Sequence, residues 1–150
     1  MQNRNSTAQN QHVSQPIAKP NVVGRLLGQR EIKFKYIFKT YDGRFIVEIF
    51  TLKELEYGGL QNFLSRLHDI IIVSKCQYTG LKDKNGKEIY ESDILKGTHS
   101  VPLYVVLQDG KFCFYNDYSS GSDALSQMRV EKLDVIGNIF ENPELLQALR

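Results

Sequence analysis

Three Asx-Gly dipeptides punctuate this chain: Asp42-Gly43, Asn85-Gly86 and Asp109-Gly110. Each is followed or flanked by short runs rich in β-branched and aromatic residues. Tight hairpin loops require φ > 0, which Gly adopts freely and Asn or Asp tolerates, so such a dipeptide between two strand-like runs signals an antiparallel pair. Three of them within 150 residues restrict the chain to a fold built largely from hairpins.

The alternation is clearest at the first. Ile32, Phe34, Tyr36 and Phe38 fall on one face, with Glu31, Lys33, Lys35 and Lys39 on the other and Ile37 as the exception. That is the pattern of a half-buried strand. Beyond Asp42-Gly43, Phe45, Val47 and Ile49 oppose Arg44 and Glu48, while Ile46 and Phe50 join the polar side. A second strand partly covered on both faces is expected. The lysine face reads as a solvated strand surface, with phosphate contact as the alternative.

Thr51 and Glu54 have the spacing of a capping box, and Gly58-Gly59 limits any helix there to a turn or two. Leu60, Phe63, Leu64 and Leu67 suit a second short helix. Ile70 to Val73 is a continuous apolar run, read as a central strand. The stretch Cys76 to Lys96 is expected to give a structured loop, a type I′ turn at Asn85-Gly86 and an incoming strand. Val101 to Leu107 and Lys111 to Tyr115 make another hairpin, followed by a polar loop from Tyr115 to Asp123. Lys132 to Phe140 is a further strand. Asn142 as N-cap, Pro143 at the first helical position and Glu144 in the first turn then start a C-terminal helix, with Leu145, Leu146 and Leu149 available to pack.

Gln77 to Leu95, taken with Val135-Ile136-Gly137-Asn138-Ile139-Phe140-Glu141-Asn142-Pro143-Glu144-Leu145-Leu146, resembles the YopX family of bacteriophage and prophage proteins. Arg30-Glu31-Ile32-Lys33-Phe34 is similar to that family's opening, and the resemblance spans roughly residues 30 to 146. It implies a mostly β protein and no particular activity. Ser92 stands where the family usually has Gly, which puts a Gly-requiring backbone conformation there in question.

Charge divides the chain. Residues 1–30 carry Arg4, Lys19, Arg25 and Arg30 with no acid; the remainder holds 15 basic against 17 acidic residues, so −2, within a net +2. Residues 1–21 lack apolar periodicity and are expected to be disordered, and 1–29 form a basic tail ahead of a single domain over 30–150. Val22 to Gly28 reads as a short apolar linker. No apolar run approaches the ~20 residues that span a bilayer, and the start lacks a signal peptide's apolar core, so a cytoplasmic location is expected, which the phage resemblance implies is that of a host bacterium. Cys76 and Cys113 have no metal-ligand spacing and read as reduced, partly buried thiols.

No phosphate-cradling glycine loop, His-Glu-x-x-His or Gly-x-Ser-x-Gly is present. An EF-hand count from Asp83 places Gly86 fourth and Ile94 twelfth, so the calcium reading fails. The sequence offers no catalytic or metal-ligating set and implies no cofactor. Candidate binding residues are Asp83, Asn85, Glu91 and Asp93 in the central stretch, with Tyr115 and Tyr118 in the polar loop. The interleaving of these acids with Lys82, Lys84, Lys87 and Lys96 also fits ordinary solvated turns.

The expected fold is mainly β. It has a small SH3-like barrel over about 76–140, an N-terminal β-hairpin, short helices and a C-terminal helix. The expected function is a phage-encoded protein-binding or self-assembling module. A nucleic-acid accessory protein using the basic tail and the Lys33/Lys35/Lys39 face is the alternative. An enzyme with its site in the central stretch is a third reading.

Overall fold

Strand β1 (Lys33–Thr40) is apolar on both sides at its middle, and this places it at the junction of the molecule's layers. It pairs antiparallel with β2 (Phe45–Thr51) on one side and β3 (Ile70–Lys82) on the other. With β4 (Glu88–Tyr90) added to the far half of β3, the first sheet has the order β2-β1-β3-β4. The second sheet is β8-β7-β6-β5-β9. Its strands are β5 (Asp93–Lys96), β6 (Leu103–Gln108), β7 (Lys111–Tyr115), β8 (Asp123–Ala124) and β9 (Asp134–Asn138). The computed structural model describes residues 31–98, 101–116, 123–124 and 129–147. The expectations for the tail, for Val22 to Gly28, for Tyr118 and for Leu149 lie outside them.

The protein is mainly β, as the sequence indicates, but the described strands do not close a barrel. Residues 76–82 and 88–90 were expected within one and instead belong to the first sheet. The reason is register: Cys76 pairs with Lys35 and Gln77 with Phe34, so the supposed structured loop is a continuation of β3. Gly80, at φ +85, and Thr79 lie in the irregular stretch between the Tyr78–Tyr90 and Lys82–Glu88 pairs. The Thr79 hydroxyl donates to Ile89 O at 2.8 Å and accepts from Leu81 N–H, holding the irregularity in place.

The three Asx-Gly turns are of two kinds. Asp109 and Gly110 both have positive φ (50° and 75°), and Gln108 pairs directly with Lys111, which makes the type I′ loop here. At Asn85-Gly86 only Gly86 is positive, at φ +82°, so the expected type I′ turn is corrected. Asp83 N–H donates to Lys87 O and Gly86 N–H to Asp83 O, the pattern of a type I turn closed by a glycine bulge. Asp42-Gly43 follows the same scheme through Thr40 and Arg44.

Thr51 does form the capping box with Glu54 at the start of α1 (Leu52–Glu56), and α2 (Gly59–Leu64) follows. Leu60, Phe63 and Leu64 pack on Tyr36, Phe38 and Phe50, closing one face of the first sheet. The opposite face carries Ile37, Cys76 and Tyr90, with Phe45, Val73, Tyr78 and Phe140 against them. A third cluster, built on Ile89, Leu95, Leu103, Val105, Phe114, Val130 and Leu133, lies against the second sheet. Both cysteines are free and buried, and burial pushes the Cys76 thiol up despite contact with Ser74 and Ser92.

Ser92 answers the question raised by the family's glycine. Its φ is +68°, so the left-handed conformation is retained with a serine in it. The backbone there is committed on both sides: Ser92 N–H donates to Val105 O at 2.7 Å, and Ser92 O accepts from Ile139 N–H at 3.0 Å. These bonds hold a conformation that costs a non-glycine residue roughly 1–2 kcal/mol.

Candidate functional site

At Lys33 and Lys35 the lysine face of β1 does not lie open to solvent. Lys35 is 8% exposed and its ammonium bonds to Asp93, itself 2% exposed at the start of β5. This pair ties the first sheet to the second. Asp93 also accepts from Tyr90 N–H at 2.8 Å, and Lys35 Nζ lies 5.0 Å from the centre of the Tyr90 ring. Burial pushes the Asp93 carboxyl up, against the opposing pull of the Lys35 charge. Lys33 bonds to Glu88 at 2.7 Å and to Glu31 at 3.0 Å, and those carboxylates hold its ammonium well above the usual lysine range. Glu88 also accepts from the Tyr90 hydroxyl at 2.7 Å. Burial, and then Glu88, raise the Tyr90 phenol. Of the three lysines, Lys39 alone is exposed, with its ammonium over the Phe45 ring.

Above the Lys35–Asp93 pair is a cleft of about 530 Å³. One wall is Val47 and Ile49 of β2, which project on the same face as their partners Ile37 and Lys35. They are 37% and 45% exposed. The other wall is Val135, Gly137 and Asn138 of β9, with Glu141 and Asn142 beyond it, and Lys87 and Glu88 complete the rim. β2 and β9 are the outermost strands of their sheets. The cleft therefore has an apolar wall, a charged but internally neutralised floor, and a described sheet edge on either side. Apolar concavities with a few placed polar groups are the usual form of a binding site.

The β9 wall is built by local hydrogen bonding. Asn138 Oδ1 accepts from Phe140 N–H at 3.0 Å and Glu141 N–H at 2.9 Å, folding the chain back on itself. Asn142 N–H donates to Asn138 O, and Leu145 N–H donates to Asn142 O as α3 (Glu144–Gln147) begins. The Asn142 side chain, expected to cap that helix, places its oxygen 3.4 Å from Asn138 N–H. It sits so close to Gly137 that a Cβ there would meet Oδ1 at 2.5 Å.

Of the sequence candidates, the cleft takes in Asp93 as a floor residue. Asp83 is neither in the cleft nor solvated. It is buried, its Oδ1 accepts from Asn85 N–H (2.8 Å) and Lys87 N–H (2.9 Å), and its Oδ2 accepts from Val135 N–H (3.0 Å). Burial alone would raise its pKa; the three donors outweigh it and the carboxyl falls below its ordinary value. Asn85 donates from its side chain to Asp134 at 2.7 Å, and Lys84 pairs with the same carboxylate at 2.6 Å. Asp83 and Asn85 thus fasten the 83–87 turn to β9. Glu91 is half-buried, with its N–H on Gln77 O. Tyr115 stacks on Tyr104 and donates to Gln108 at 2.7 Å, far along β7. The central acids and the tyrosine are not brought together.

Missed from sequence were Val47, Ile49, Asn138, Glu141 and Asn142. The one signal, for Val47 and Ile49, was the apolar residues on both sides of β2, which left some of them without a buried place. Among the described residues no group of three or more His, Cys, Asp or Glu is placed to hold a metal ion. No described helix is long and apolar enough to cross a membrane.

Fold and site together define a two-sheet, hairpin-built β protein with a cleft bordered by strand edges. The family model described as YopX protein matches residues 29–147, and the chain belongs to the YopX family. It is similar to protein EF1440 from Enterococcus faecalis, whose crystal structure is known. The two are 30% identical over 74% of each chain, with a TM-score of 0.37. No curated protein matches the chain.

Proposed function

We propose that this YopX-family chain is a phage- or prophage-encoded accessory protein of the host cytoplasm that works by binding other protein, and that an extended segment of its partner lies in the β2–β9 cleft. The observation that carries this reading is the exposed apolar wall, Val47 and Ile49, on β2, the outermost strand of its sheet. An extended peptide can add to a sheet edge through main-chain hydrogen bonds while alternate side chains fill the adjoining pocket. The neutralised Lys35–Asp93 floor selects against a strongly charged occupant. The nucleic-acid alternative draws little support from β1, because Lys33 and Lys35 already hold carboxylates.

Panning a random peptide library against the full chain, with Ile49→Glu as the counter-screen, tests the reading. Ile49 is exposed enough for that change to leave the fold intact. The expected peptides alternate apolar positions, bind wild type selectively, and shift the amide resonances of Val47, Ile49, Val135 and Gly137. Peptides that bind Ile49→Glu equally well would sink the proposal.

A further inference from the structure

A different edge of the first sheet carries its own message. β3 is thirteen residues long, and β1 pairs with its first part, Ile70 to Gln77. On the opposite side β4 reaches only Tyr78 to Lys82. Among the described residues, the outer edge of β3 before Tyr78 therefore has no strand beside it. That edge reads Ile70-Ile71-Ile72-Val73-Ser74-Lys75, and Ile71 and Ile72 are 65% and 40% exposed. A run of β-branched residues without Pro or Gly on an open edge is a template for strand pairing.

We propose that Asp69–Lys75 pairs antiparallel with the same segment of a second copy of this chain, about a two-fold axis through Ile72. The charges select this occupant. Asp69 and Lys75 are the two charged residues of the segment, both exposed and equally far from Ile72. In an antiparallel pair of the β3 edge centred on Ile72, Ile71 faces Val73 and Ile72 faces itself, and Asp69, in left-handed backbone (φ +56°) just ahead of the strand, comes beside Lys75 of the other copy. A two-fold interface needs this self-complementarity, and opposite charges across a strand pair favour it. The bulge at Val73, where the register against β1 slips, twists the edge; a second copy brings the same bulge and the same twist. The surface is separate from the β2–β9 cleft.

Sedimentation equilibrium of the full chain, with an engineered cross-link, tests the pairing. The wild type should show a concentration-dependent monomer–dimer equilibrium. Ile71→Lys should shift it to monomer with an unchanged circular dichroism spectrum, and Ile49→Glu in the cleft should leave it alone. Lys75→Asp should weaken the dimer, and adding Asp69→Lys should restore it. Mild oxidation of Ile72→Cys should give a covalent dimer, since directly opposed residues lie within disulfide reach and the native thiols are buried. Leu107→Cys, exposed on β6, should not. A wild type that stays monomeric to its solubility limit overturns the proposal, as does a dimer indifferent to Ile71→Lys.

Discussion

Replacing Asp83 by alanine measures how much the central turn depends on one carboxylate. From sequence, a solvated turn aspartate should cost under about 1 kcal/mol on truncation. The structure changes the number. Asp83 is buried and accepts three backbone N–H groups, two within its own turn and one from Val135 on β9. A hydrogen bond to a charged group is worth roughly 1.5–3 kcal/mol when its donor cannot be rehydrated. Asn85 and Lys87 are exposed and their amides can recover water, whereas Val135 is half-buried in the turn–strand contact. Asp83→Ala should therefore destabilise by about 2–4 kcal/mol, with most of the loss from the β9 tie. Asp83→Asn is the discriminating control. Its amide keeps one acceptor for the turn but sets an NH2 against Val135 N–H, so an intermediate loss of about 1–2 kcal/mol is expected. Urea denaturation followed by tyrosine fluorescence and far-ultraviolet circular dichroism reads both. Should Asp83→Ala unfold within about 0.5 kcal/mol of wild type, the reasoning that this carboxylate joins the turn to β9 fails.

Three further outcomes follow from the same geometry. Lys35→Met and Asp93→Asn should each cost about 3–5 kcal/mol, because each strands its buried partner, while the double variant should recover much of the loss in a denaturation cycle. Gly86→Val should cost roughly 1–3 kcal/mol; nothing lies within 4 Å of a Cβ there, so only the φ of +82° resists it, and Gly86→Asn should be tolerated in the same thermal melts. Asp83 and Glu88 have folded pKa values below their ordinary 3.8 and 4.5, so their contribution is complete above those values and is lost as pH falls through the lower folded ones. Asp93, raised by burial, works in the opposite sense. Stability measured below about pH 4 should therefore fall less steeply in Asp83→Asn than in wild type.

The sequence by itself determined the hairpins, the capping box at Thr51, the short helices and the mainly β class. These depend on contacts a few residues apart: turn residues that tolerate φ > 0, alternation along a strand, a side chain reaching its own helix end. It could not determine which face of β1 lay in water. Lys33 and Lys35 read as solvated because their partners, Glu88 and Asp93, lie more than fifty residues away, 55 and 58 in sequence. It extended the central loop too far for the same reason, since only the register with β1 makes Cys76 to Lys82 a strand. The type of the Asn85-Gly86 turn was settled by Asp83, whose oxygens bind both the turn and β9. The cleft is wholly tertiary: Val47 and Ile49 face β9 because two sheets, joined through a buried ion pair, set strands of distant sequence across from each other.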